Sequence, residues 1–296
     1  MKIVFFGSSD YCLPILTSLY KQFKLAVIIT KPHSPVSDFA QKNKIPVFTP
    51  NNKSELANLS GMLISLNLDM AIVADYGLII PKEIFEIPKY KTLNVHFSRL
   101  PQYRGPSPVQ YTILNGDKSA WISFMLMSEK MDTGDILLQE EFPLEGSETA
   151  GDLYQKLFEI ASQKLPQVLN DYVSGKITPQ KQEEEKATYS KLLTRDDGFI
   201  PFSILKAAMS GEKIELKKEK YSSTIDRALR AFSPWPGLWT NTRIKNHELG
   251  IKNENKRLKL LKLHIEGNKL VIDLVQLEGK NPVSWKQLLE GYPILH

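Results

Sequence analysis

Only one cysteine, Cys12, stands among 296 residues, so no disulfide can close within the chain and no thiolate cluster can hold zinc. Long apolar runs are also missing. The best stretches, 71–74 and 78–81, fall far short of the roughly 20 residues that span a bilayer. The opening MKIVFFGSSD breaks at Gly7 after a run of about four apolar residues, which suits a buried strand better than an export signal. A cytoplasmic protein with no membrane partner is expected. The five histidines (His33, His96, His247, His264, His296) are scattered singly, without the spacing of metal ligands, and no metal is expected. The glycine pattern G-x-G-x-x-G is absent after the first strand, which disfavours a nicotinamide cofactor.

What is present is the composition of an ordinary globular protein, 42% hydrophobic and 24% charged. The net charge of +5 is unevenly spread. Residues 1–186 carry 19 basic and 21 acidic side chains, and 187–296 carry 19 and 12. A near-neutral front and a basic back suit a polyanion partner for the back, although a lysine-rich solvated surface would look the same.

Apolar, β-branched runs at 3–6, 25–30, 69–74 and 92–95 alternate with helical patterns at 13–19 and 53–66. That alternation predicts an α/β domain with a mostly parallel, Rossmann-like sheet covered by helices. Ligands of such sheets lie beyond the carboxyl ends of the strands, so chemistry is expected just after Phe6, Ala74 and Val95. Two strands, 120–127 and 135–142, then flank the turn Met131-Asp132-Thr133-Gly134, and a long amphipathic helix spans 150–174. Residues 177–187 are polar and read as a linker between a catalytic domain at 1–176 and a second domain at 188–296. The second domain carries a helix at 224–232 and alternating runs at 238–244, 258–265 and 270–277, the texture of a small antiparallel β domain.

The segment TLNVHFSRLP (92–101) is the most informative. Alternate side chains of a strand share a face, so Asn94 and His96 project together at the strand's carboxyl end. An amide can bond an oxyanion and an imidazole can carry a proton, a useful pair for acyl transfer. An acid at the 131–134 turn could orient that imidazole, yet alone Asp132 reads as a plain turn residue. Ser98 and Cys12 show no relay of their own, and Cys12 reads as core.

In this order and spacing, FFGSSD (5–10), AIVADYGLIIP (71–81), NVHFSRLPQYRG (94–105) and MDTGD (131–135) resemble the formyltransferase family that uses 10-formyltetrahydrofolate. The resemblance covers the first 180 or so residues. It implies Asn94, His96 and Asp132 as the catalytic trio. It also implies a folate, the formyl donor, lying against Asp75, Tyr76, Gly77 and Leu78 and against Ser98, Arg99, Leu100 and Pro101. The implied chemistry is direct transfer to a neutral amine, with Asn94 and His96 holding the oxyanion and Asp132 setting the state of His96.

The later segments YSKLL (189–193), RAFSPWPG (230–237) and QLEGK (276–280) resemble the second domain of the family members that act on methionyl-tRNA. In those the domain is OB-like and basic, and it meets the tRNA. Initiator Met-tRNA is thus the expected partner, with a monomer as the expected assembly. Trp235 reads as a packing aromatic. Alternatives within the resemblance are a sugar-nucleotide amine formyltransferase and a formyl-folate hydrolase. Three departures accompany it: a loop after Lys31 shortened by about nine residues, a segment at 202–222 resembling an insertion, and Arg99 where leucine is usual.

Overall fold

The computed structural model describes residues 1–213, 220–246, 251–291 and 294–295, with side chains left out of account at 244–246, 251–254 and 294–295. Two compact units emerge. The first comprises Met1–Pro108, Ser119–Pro143 and Leu153–Lys191, and the second Val109–Lys118, Leu144–Asp152 and Leu192–His296.

In the first unit, β1 (Lys2–Phe6), β2 (Lys24–Ile29), β3 (Val47–Phe48), β4 (Met70–Val73), β5 (Thr92–His96), β6 (Ser119–Leu126) and β7 (Ile136–Pro143) form one sheet. Their order is β3-β2-β1-β4-β5-β6-β7. Strands β1 to β5 pair in parallel, whereas β6 and β7 pair antiparallel, the two joined as a hairpin across the turn at 131–134. The order reverses between β1 and β4, and the carboxyl ends flanking that point open a crevice. Strands β1 and β4 are buried along nearly their whole length, which accounts for their unbroken apolar runs.

Helices α1 (Leu13–Gln22), α2 (Pro35–Lys42), α3 (Lys53–Ala57), α4 (Ser60–Ser65) and α5 (Lys82–Phe85) cover the sheet. Helix α2 starts where Ser34 accepts the Ser37 N–H at 3.1 Å with Pro35 in the first turn. The single helix expected over 53–66 is two helices, broken at Asn58-Leu59, where asparagine, Ser60 and Gly61 give the helix little support. After α6 (Pro108–Asn115), α7 (Ala150–Val173) turns Leu153, Leu157, Ala161, Leu165 and Leu169 inward at helical spacing. Each buried leucine there contributes about 1.5–3 kcal/mol.

Residues 177–187, expected to link two domains, sit inside the first unit. The Gln180 and Ile136 backbones bond each other in both directions, at 2.8 and 2.9 Å, so the stretch is tied to the start of β7.

In the second unit, α8 (Phe202–Ser210) packs through Leu205 and Ala208, and α9 (Tyr221–Ala231) through Ile225, Ala228 and Ala231. Strands β8 (Leu238–Asn246), β9 (Ile251–Glu266), β10 (Lys269–Leu277) and β11 (Val283–Ser284), helix α10 (Trp285–Gly291) and β12 (Ile294–Leu295) complete it. The strands form an antiparallel sheet in the order β11-β10-β9-β8-β12. β9 begins seven residues before the expected run at 258, because pairing with β8, not apolar alternation, carries 251–257 into the sheet. Trp235, expected to pack, is 52% exposed. Part of the 202–222 segment, residues 214–219, lies outside the described residues, as do His247 and His296.

Candidate functional site

A cavity of about 540 Å³ opens in the first unit beyond β4 and β5. That size suits a small organic ligand. Asn94 and His96 both line it, two residues apart on β5, as the alternation of a strand requires. Asp132 lines it from the turn between β6 and β7, with φ at +54°. The structure therefore brings together three side chains that the chain separates by up to 38 positions, counted from Asn94 to Asp132.

Asp132 stands with one carboxylate oxygen, Oδ2, 3.7 Å from Nδ1 of His96. This is within ion-pair reach but longer than a hydrogen bond, and contacts of this kind close up around a bound substrate. The same oxygen accepts the Gly105 N–H at 2.8 Å. On the other side of the ring, Nε2 lies 3.2 Å from the Tyr103 carbonyl, which can only accept, so Nε2 carries a proton in this arrangement. The histidine is buried and the aspartate nearly so, and water competes little for either. The 103–105 loop thus touches both partners.

Among the residues expected to meet a folate, Asp75, Tyr76, Gly77 and Leu78 line the cavity. Asp75 and Gly77 both have positive φ, at +52° and +81°, which turns the backbone after β4 along the cavity wall. Tyr76 is buried against Phe6, ring centroids 5.4 Å apart, and its hydroxyl finds no partner among the described residues. Burial pushes the phenol up to about 12.

Ser98, Arg99, Leu100 and Pro101 do not line the cavity. After Phe97 the chain bends beneath β6, and this segment is pinned there. Ser123 Oγ donates to the Ser98 carbonyl at 2.6 Å, and Gln139 Nε2 donates to the Leu100 carbonyl at 3.0 Å. Arg99 is exposed and lies over the Trp121 ring at 4.7 Å. Strand alternation cannot foresee such a bend.

Sequence reasoning missed much of the lining. Tyr154 and Phe158, one turn apart on α7, close the cavity with Phe97, whose ring meets Phe158 edge-on at 4.6 Å. An aromatic pair at i, i+4 was the available signal, absorbed into the helix's apolar face. Met125, Met127 and Met131 add adaptable walls. Cys12 is fully buried, and its thiol donates to the Ser9 carbonyl at 3.0 Å. Burial, aided by nearby Asp75, pushes that thiol up to about 12. Among the described residues, no three His, Cys, Asp or Glu gather as metal ligands would.

Known proteins resemble this chain in sequence and in fold. Residues 1–169 match the family described as formyl transferase, and residues 209–293 match the formyl transferase C-terminal domain. Among curated relatives, a methionyl-tRNA formyltransferase of Clostridium novyi is 31% identical over 318 aligned positions, covering 99% of this chain and 98% of that protein. Among solved structures, a methionyl-tRNA formyltransferase from Clostridium thermocellum superposes with a TM-score of 0.60 at 20% identity, covering 94% of this chain and 98% of that one. WlaRD, a sugar 3N-formyl transferase, gives 0.59 at 20% identity over 95% and 99%. At such identities the structural likeness speaks for the fold, which serves both kinds of acceptor. With both halves matched and a relative aligned from end to end, the chain belongs to the formyltransferase family, among its methionyl-tRNA formyltransferases.

Proposed function

We propose that this chain transfers the formyl group of 10-formyltetrahydrofolate to the free amino group of methionine on initiator Met-tRNA, in the cytoplasm and as a monomer. The observation that carries the reading is the meeting of Asn94, His96 and Asp132 at one cavity, in a chain that matches its methionyl-tRNA formyltransferase relative throughout. The donor supplies an activated formyl carbon, and the chain's task is to position, polarise and move protons. The Asn94 amide donates a hydrogen bond to the formyl oxygen as charge develops there. His96 carries a proton between the attacking amine and the departing nitrogen, and Asp132 fixes the ring's orientation. Tyr76 and the backbone of 75–78 hold the folate ring, while 98–101 buttress the wall from beneath. Burial of His96, with Asp132 nearly buried beside it, strengthens their polar interactions by excluding water.

The basic excess of residues 187–296, seven charges, favours a tRNA acceptor over a small amine, since a sugar nucleotide offers few phosphates to such a surface. The test incubates the protein and 10-formyltetrahydrofolate with charged initiator tRNA, with aminosugar nucleotides, or with water alone. Formyl-methionyl-tRNA should form far faster than the other products. Consumption of the donor at equal speed in water would overturn the transfer reading, and preference for the aminosugar would overturn the acceptor.

A further inference from the structure

His96 and Asp132 are bonded by the 103–105 loop, and Asp132 sits on a turn that lies far from that loop in sequence; Arg104 and Gln182 join the two. Arg104 is 1% exposed, and a buried guanidinium requires partners for its N–H groups. Its Nη1 and Nη2 donate to the two carboxylate oxygens of Glu184 at 3.0 and 2.9 Å. Its Nε and Nη2 also donate to Oε1 of Gln182 at 3.1 and 3.0 Å. The other end of Gln182 turns the opposite way. Its Nε2 donates to the Asp132 carbonyl at 2.9 Å and to the Gly134 carbonyl at 2.7 Å. Only one orientation of this amide satisfies all four bonds, because the guanidinium only donates and the carbonyls only accept.

Gln182 therefore spans the gap between the loop that carries Tyr103 and Gly105 and the turn that carries Asp132. The first loop bonds His96 through the Tyr103 carbonyl and Asp132 through the Gly105 N–H. The backbone around Arg104 is fastened to the same late segment, its N–H donating to Thr188 at 2.9 Å and its carbonyl accepting from Ser190 at 2.7 Å. Close approach keeps this join tight: Gly105 has φ at +117°, and a Cβ there would stand 2.2 Å from the Ser190 carbonyl oxygen.

We infer that Gln182, held by Arg104 and Glu184, is a positioning residue that sets the separation of His96 and Asp132 during formyl transfer. Gln182 itself does not line the cavity and touches neither of the two reacting side chains. It acts on the Asp132 backbone and on the loop that both partners share. A group misplaced by about 1 Å can lose on the order of a hundredfold in rate while substrate binding hardly changes.

The inference rests on the catalytic assignment above, and the experiment separates the two. Full-length Gln182→Leu, Gln182→Glu, Asp132→Asn and the Gln182→Leu/Asp132→Asn double variant are assayed for kcat and donor KM, with tetrahydrofolate binding as the check on folding. Gln182→Glu keeps an acceptor for Arg104 but replaces the donor to the Asp132 turn. Either Gln182 variant should lower kcat by about ten- to a hundredfold with KM within about twofold. The double variant should be no slower than Asp132→Asn alone, because both changes act through one pair. Losses that multiply in the double variant would overturn the positioning role. So would normal kcat in Gln182→Glu, which also decides the matter if Gln182→Leu does not fold. Full activity in Asp132→Asn would defeat the catalytic assignment itself. Inactive Asp132→Asn beside fully active Gln182 variants would defeat the positioning role alone.

Discussion

Gly134 lies so close to Leu126 that a Cβ on the glycine would stand 1.8 Å from the Leu126 carbonyl oxygen. The turn bearing Asp132 is therefore pressed onto the end of β6, and no side chain larger than hydrogen fits between. Gly134→Ala must shift that turn. Forced overpacking of this kind costs about 1–3 kcal/mol. A fall in thermal midpoint together with loss of formyl transfer is expected, and an unaltered midpoint with full activity would show that the turn yields freely.

The assignment of His96 and Asp132 is tested directly. His96→Ala or Asp132→Ala should slow formyl transfer by at least about a hundredfold, the effect of removing a positioned acid–base group. Both proteins should still bind tetrahydrofolate. Near-normal turnover in either would remove the residue from the chemistry.

Half of this site was open to reading in the sequence, and the reason is geometric. Asn94 and His96 sit on a strand whose period of two fixes their common face, and the parallel sheet fixes the end at which chemistry belongs. Asp132 carries no such local signature and entered only through likeness to a family. Ser98 to Pro101 were expected at the cavity through the same likeness, yet a bend after Phe97, bonded to Ser123 and Gln139, takes them out of the cavity lining. Gln182 was hidden for a different cause. In a polar stretch, side chains that will bond distant carbonyls look the same as side chains that will bond water.

Basic residues of the later part of the chain give a third expectation. Binding to initiator Met-tRNA should weaken steeply as salt rises from low to moderate concentration, as released counterions dictate. A titration of affinity against ionic strength measures this. A flat response would separate the +7 balance of residues 187–296 from any nucleic-acid contact.

The buried thiol and phenol predict an alkaline limit. The folded pKa values of Cys12 and Tyr76 are both about 12, raised from 9.0 and 10.0. Above the unfolded values the unfolded chain releases protons that the native state keeps. Stability is therefore full below about pH 9 and declines as pH climbs toward 12. Denaturant midpoints should fall between about pH 9 and 11, and by less in Cys12→Ala. Fully buried, with its ionisation disfavoured, the Cys12 thiol should be labelled by iodoacetamide only after unfolding. Rapid labelling of native protein would contradict the burial.

The partners of Arg104 come 78 and 80 residues after it. A nascent chain on the ribosome can pair its first five strands well before those partners are made, leaving an arginine without its glutamate and glutamine beside an unfinished cleft. Shortened versions ending near residue 176, however well they fold, would share that defect. On the positioning role inferred for Gln182, the smallest active enzyme cut from this protein is expected to extend past Ser190.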